Sequence, residues 1–272
     1  MVVAETTTMK KETKIVKKLS GLLKKLNCRE YLHHFGPKKF KFVHHACALL
    51  LKETLKCSFR RISKFLDLVN VKTPTYSALC KSRKRIPVAV WQKLLILTAG
   101  ISSGKVAIDG TGFSRTNPSY HYIKRINRQE PVKNYGKLSA LFDIIRKKFL
   151  KLKVRSKPRH DMKDAKPLLS TIKGITKLYG DKGYDAESLH RYCLEKKIRT
   201  IIKPRKYSKK GFARRKQMKN YSEKDYHQRS LIESGFGSLK RKYGGFVLAK
   251  KAKPMKVEIY CKAISHNLDL MN

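Results

Sequence analysis

Apolar residues recur at helical spacing through the first hundred positions of the 272-residue chain. Phe42, Val43, Ala46, Leu49 and Leu50 form one stripe, as an amphipathic helix requires. A second helix, Ser58 to Leu66, carries Phe59, Ile62, Phe65 and Leu66. After a turn-like gap, Thr73 suits an N-cap and Pro74 the first position of a third helix. Tyr76, Leu79 and Cys80 are expected to face inward on it, leaving Lys81, Lys84 and Arg85 outward. A fourth helix, Val88 to Ala99, carries the only tryptophan, Trp91, as core. Residues 1–25, rich in Lys and Thr, read as a basic, loosely ordered N-terminus. Residues 26–100 therefore predict a small all-α, helix-turn-helix-like domain, with the third helix suited to a major groove.

The pattern changes after Gly100. Lys105 to Gly110 reads as a buried strand ending in an acid, and Tyr120 to Ile126 as a second extended piece. Leu138 to Ile145 and Phe149 to Val154 predict a hairpin. Asp161 to Ile172 is helical, with Asp161 and Asp164 in the first turn, where they suit the helix dipole. Leu178 to Asp181 is another strand ending in an acid; Asp185 then caps a helix, Ala186 to Lys196. Ile198 to Lys203 is a further strand, and 203–219 a basic loop. Ser222 to Asp225 resembles a capping box ahead of a long helix. The order predicts an α/β domain over 101–272, a mixed sheet with flanking helices.

That last helix holds an unusual row. Tyr226, Arg229, Glu233 and Lys240 lie at offsets that one helix gathers into a stripe about 60° wide. Ile232, Phe236 and Leu239 fall beside it, so the row borders a buried face. The bland alternative is a surface salt-bridge row.

Charge sharpens the picture. The chain has 65 Lys and Arg against 19 Asp and Glu, a formal charge of +46. Self-repulsion of that size is relieved beside a polyanion, and nucleic acid is the obvious one. No apolar run is long enough to span a membrane, and the basic N-terminus lacks a signal-peptide apolar region. Six cysteines form no CxxC pair and read as buried thiols of a reducing compartment, so a cytoplasmic protein is expected.

Against this charge, three acids stand out. If the strands ending in Asp109 and Asp181 are neighbours, their C-terminal ends meet, and the last helix can deliver Glu233. Three converging carboxylates make a hard-cation site for Mg²⁺ or Mn²⁺. Two such ions about 4 Å apart can activate an attacking oxygen and stabilise a leaving one in phosphodiester displacement.

Three segments carry a specific resemblance. They are Ile108-Asp109-Gly110-Thr111-Gly112-Phe113, Tyr179-Gly180-Asp181-Lys182-Gly183-Tyr184-Asp185, and the Y-x2-R-x3-E-x6-K pattern of Tyr226, Arg229, Glu233 and Lys240. Together they resemble the DDE transposases of prokaryotic insertion sequences, over about residues 100 to 272. The resemblance implies an RNase H-like fold, with Asp109, Asp181 and Glu233 as catalytic metal ligands. It implies that Tyr226, Arg229 and Lys240 hold the DNA ends. It further implies two Mg²⁺ or Mn²⁺ ions, terminal inverted repeats and target DNA as partners, and a homodimer in the active complex. Some relatives carry a large β-rich insert, with a base-supporting tryptophan, between the second Asp and the Glu. Here 51 residues intervene, without a tryptophan, so no hairpin intermediate of that kind is implied. The expected activity is cutting of element ends and joining to target DNA. A plain metal-dependent nuclease also fits the triad. A non-catalytic DNA-binding protein derived from a transposase fits the charge, and so does an RNA-packaging protein, which leaves the acids unexplained.

Overall fold

The computed structural model describes residues 17–35, 38–69, 71, 73–114, 135–157, 159–206, 211–219 and 221–271. It divides into two compact units: the chain up to Thr98 together with Val257–Asn272, and Ala99–Lys256. The C-terminal segment thus clusters with the N-terminal helices, rather than with the α/β unit as the chain order suggested. No helix among the described residues is long and apolar enough to cross a membrane.

In the helical unit, residues 17–25 are helical (α1), with Leu19 and Leu23 buried. This corrects the expectation of a loose N-terminus up to residue 25. Next come α2 (Phe42–Thr54), α3 (Phe59–Leu68), α4 (Tyr76–Arg85) and α5 (Val88–Ala99). Ala48, Leu51, Ile62, Leu66 and Leu79 form the core shared by α2, α3 and α4. Ser58 caps α3 by accepting from the Arg61 N–H at 3.2 Å. α4 starts two residues later than expected: Thr75, not Thr73, is the N-cap and accepts from Ala78 N–H. The shift rotates the helix. Tyr76 is exposed, under the Arg60 guanidinium, while Ser82 turns inward and hydrogen-bonds to His45 at 2.7 Å. Lys81, Lys84 and Arg85 are exposed as expected, and Trp91 is core.

The α/β unit is built on one five-stranded sheet, in the order β3-β2-β1-β4-β5. Its strands are β1 (Lys105–Ser114), β2 (Tyr135–Asp143), β3 (Lys148–Arg155), β4 (Lys177–Gly180) and β5 (Arg199–Ile202). β1, β2 and β3 are antiparallel neighbours, whereas β4 and β5 run parallel to β1. The expected mixed sheet with flanking helices is thus present. Its helices are α6 (Met162–Leu169), α7 (Glu187–Glu195), α8 (Phe212–Met218), α9 (Glu223–Tyr226) and α10 (Ser230–Tyr243). A last helix, α11 (Ala252–Asp269), leads into the C-terminal segment. The basic stretch 203–219 is therefore not all loop, because it contains α8. The expected strand Tyr120–Ile126 lies outside the described residues.

Tight β-hairpin geometry explains Asp143. Fully buried, it accepts from Ser103 N–H at 2.6 Å and from the Ile145 and Arg146 N–H groups, satisfying the turn into β3. On the other side of the sheet, α10 lies so close to β2 that a Cβ at Gly235 would stand 2.7 Å from the Phe142 ring. Only glycine permits that approach.

Candidate active site

Parallel pairing of β1 with β4 sets the site. The register runs from Lys105↔Lys177 to Ile108↔Gly180, so Asp109 and Asp181 each follow the last paired residue. That is the juxtaposition expected if the two strands were neighbours. One detail differs: β1 continues to Ser114 against β2, so Asp109 sits within its strand rather than at the end. Asp181 instead opens the 3₁₀ turn Lys182–Tyr184 and accepts from Gly183 N–H at 2.8 Å.

Asp109 accepts from Gly110 N–H at 2.7 Å and, through its other oxygen, from Arg229 Nη1 at 3.1 Å. Arg229 Nη2 reaches Glu233 Oε1 at 2.5 Å. One guanidinium therefore bridges the first acid to the third. Burial pushes the Asp109 carboxyl up to about 6, against the pull of Gly110 N–H and Arg229; the nearby Asp181 and Glu233 charges add to the rise. Lys240, about two turns beyond Glu233 on α10, donates to Thr111 Oγ1 at 2.7 Å and lies over the Phe113 ring. Burial holds its ammonium below the usual lysine range.

The helical row is not one helix. Tyr226 ends α9, His227–Arg229 is a 3₁₀ turn, and α10 begins at Ser230. The tighter turn changes the angular step per residue, so the uniform 100° rule does not carry from Tyr226 to Glu233. The Arg229 guanidinium still lies 5.9 Å from the Tyr226 ring centre, and the Lys203 ammonium 5.7 Å. Ile232, Phe236 and Leu239 are buried as expected.

The Ser222 cap was expected, whereas the long-range partners of Asp225 and Asp185 had no signal in the sequence. Ser222 caps α9 by accepting from Asp225 N–H. The Asp225 carboxylate itself meets Lys177 Nζ at 3.1 Å, Tyr179 OH at 3.0 Å and Gln228. It pins the start of the row to β4, two residues before Asp181. Burial raises this carboxyl, but the hydrogen bonds from Lys177 and Tyr179 outweigh that and hold it below the usual range. Asp185 is not the helix cap expected of it: Ala186 takes that place, without a side-chain bond. Asp185 is buried and accepts from Arg214 Nε and Nη2, His190 Nε2 and Arg205 N–H. Arg205 then donates to the carbonyls of Lys182 and Gly183, in the turn that carries Asp181. Two arginines of the basic stretch thus bond within the fold, Arg214 buried and Arg205 exposed. Long-range pairing of this kind leaves no periodic trace.

The donor set suits a hard cation. All three acids offer oxygen ligands, and among the described residues Asp181 Oδ2 and Glu233 Oε2 make no hydrogen bond. As the side chains stand, no three His, Cys, Asp or Glu groups among the described residues are close enough to hold an ion. Arg229 neutralises Asp109 and Glu233 instead. His121 lies outside the described residues; His45 is committed to Ser82, and His44 accepts from Lys41 N–H.

The family described as "Transposase DDE domain" matches residues 102–268. This is more than half of the chain, and the chain belongs to that family. No curated protein matches it. Among solved structures, it is similar to a piggyBac transposase synaptic complex with hairpin DNA. The identity is 11% and the TM-score 0.47, over 93% of this chain and 73% of that one.

Proposed function

We propose that the protein is a DNA transposase that cuts the ends of an insertion sequence and joins them to target DNA. The observation that supports this most is the meeting of Asp109 and Asp181 at matched positions of two parallel strands, with Arg229 linking Asp109 to Glu233. Asp109, Asp181 and Glu233 would hold one or two Mg²⁺ or Mn²⁺ ions. Bound there, such ions would offset phosphate repulsion, favour an ionised attacking oxygen and stabilise the leaving one.

The chain's own residues supply the rest. Asp225 and Asp185 orient the segments that carry the acids. Lys240, fixed on Thr111, places a cation two residues beyond Asp109, where a phosphodiester would meet it. Tyr226 offers a ring face to a base or sugar beside the Arg229 and Lys203 cations. Gly112, exposed on β1, lets a DNA backbone approach, whereas at Gly110 the Asp161 carboxylate takes the space of a Cβ. On the helical unit, Lys81, Lys84 and Arg85 form an exposed edge of α4 for phosphate contact. Two DNA ends require a homodimer in the active complex.

One observation favours a second reading, a non-catalytic DNA-binding protein: a guanidinium already occupies the charge-neutralising place between Asp109 and Glu233. A single experiment separates the two. Purified protein is incubated with labelled DNA carrying its own flanking ends, with Mg²⁺ or Mn²⁺, beside Asp181→Asn. The transposase reading expects metal-dependent cuts at the ends and joined products, both absent in the variant. Cuts without joining would leave a nuclease. Binding without cleavage, equal in both proteins, would leave the DNA-binding reading.

A further inference from the structure

Strand β3 is an edge of the sheet, and from Leu150 onward its residues alternate between buried apolar and half-buried cationic. Leu152 and Val154 are buried, whereas Lys153 and Arg155 face the other way. Lys157 and Arg159 continue the odd-numbered cations beyond the strand. With Lys256 they line a cleft of about 400 Å³. Within it Arg155 is neutralised by the buried carboxylate of Asp164. Among the described residues, Lys153, Lys157, Arg159 and Lys256 meet no carboxylate.

Cations on alternate strand residues stand roughly 6.6 Å apart and repel, so gathering them around a concavity is unfavourable without a counter-charge. An extended polyanion relieves that repulsion. Among the described residues that line it, the cleft has no amide side chain and no aromatic ring, so it lacks the groups that pair with adenine or stack on bases. Its chemistry is that of phosphate contact, which carries no sequence information. The cleft also connects to the strand of Asp109. Lys137 donates to the Arg159 carbonyl and pairs with Asp161 at 2.8 Å. The Asp161 carboxylate lies 2.9 Å from where a Gly110 Cβ would be.

We propose that this cleft is a second DNA seat, outside the carboxylate site, that holds duplex DNA by its backbone without regard to sequence. Given the transposase reading on which it rests, the DNA suited to it is the target duplex, whose sequence the protein does not need to read. Arg155 belongs to the fold through Asp164; the other four cations are the contacts.

The test combines Lys153→Gln, Lys157→Gln, Arg159→Gln and Lys256→Gln in the full chain, with a second variant carrying only Lys157→Gln and Arg159→Gln, which are fully outside the strand. Binding to a random duplex is measured by fluorescence anisotropy over a salt series, after circular dichroism establishes folding. The slope of log affinity against log salt should become shallower by roughly 3.6 in the quadruple variant and by roughly 1.8 in the double, at about 0.9 per lost phosphate contact. Affinity should fall at least tenfold in the quadruple variant. Cleavage of the protein's own ends should persist while joining to added target DNA declines. Unchanged slope and affinity would overturn the proposal. So would a loss confined to the protein's own ends, or one confined to RNA. If wild type neither cuts nor joins but the slope changes as stated, the cleft stands and the enzyme reading fails.

Discussion

Asp185 and Asp109 each meet an arginine within the α/β unit, and the two surroundings could hardly differ more. Asp185 is 2% exposed and accepts four hydrogen bonds, from Arg214, His190 and the Arg205 N–H. Burial raises its carboxyl, but those donors win and hold it below the usual range. The Asp109 side chain keeps 20% of its exposure and, among the described residues, accepts two bonds, from Gly110 N–H and Arg229. There burial wins, and the carboxyl rises to about 6. A carboxylate surrounded by enough donors becomes a fastener; one short of donors stays poised for another cation. The number of donors, not the residue type, separates structure from chemistry in this unit.

The sharpest test of that contrast is catalytic. Asp109→Asn or Asp181→Asn should lower end cleavage roughly a thousandfold or more, because carboxylate–metal stabilisation of a phosphoryl transition state is worth several kcal/mol. Folding and DNA affinity should be unchanged. A variant that cleaves at the wild-type rate would remove the acid from the site.

Asp185→Ala should do the reverse. It strands Arg214, His190 and the Arg205 N–H in the interior, and breaking a buried ion pair from one side costs about 3 kcal/mol. Urea denaturation, read with hydrogen exchange at Thr200 and Arg205, checks this. Equal stability losses for Asp109→Asn and Asp185→Ala would erase the comparison.

The pH dependence separates the two places by sign, in metal-free protein. The folded pKa of Asp109 is raised, so its contribution is present at low pH and is lost as pH rises from about 4 through about 6. His190 is lowered, by burial first, so its contribution is complete above its unfolded pKa of about 6.5 and is lost as pH falls below that value. Asp109→Asn should therefore remove a gain in stability on acidification, on the order of 2 kcal/mol. His190→Gln should remove a loss. Denaturation midpoints between pH 7 and 4.5 distinguish them, and slopes of one sign in both variants would contradict the assignment.

The smallest expected effect lies at the link between strand and helix. Tyr179→Phe deletes one hydrogen bond to Asp225 and should cost about 1 kcal/mol. Because β4 also carries Asp181, end cleavage should fall somewhat more than stability alone explains. Comparing the rate with the denaturation midpoint resolves that difference.

Much of this arrangement was legible in the residues. The hairpin of β2 and β3 was expected, apolar spacing marked α2 and the buried face of α10, and the three short motifs singled out Asp109, Asp181 and Glu233. Local errors arose where one signal stood for two outcomes. Thr73-Pro74 and Thr75 could each start α4, and the packing of Leu79 and Ser82 selected the later cap. Asp185 preceded a helix and looked like a cap, but Arg214, 29 residues on, claimed it.

By itself the sequence determined which residues can carry charge, which faces turn inward and the order of the elements, because these follow from side-chain chemistry and local spacing. Tertiary structure decided that β1 and β4 are neighbours, that Arg229 stands between two acids and that Arg214 serves the fold rather than the surface. Those outcomes depend on which distant groups share a desolvated space, and local periodicity does not encode that distance.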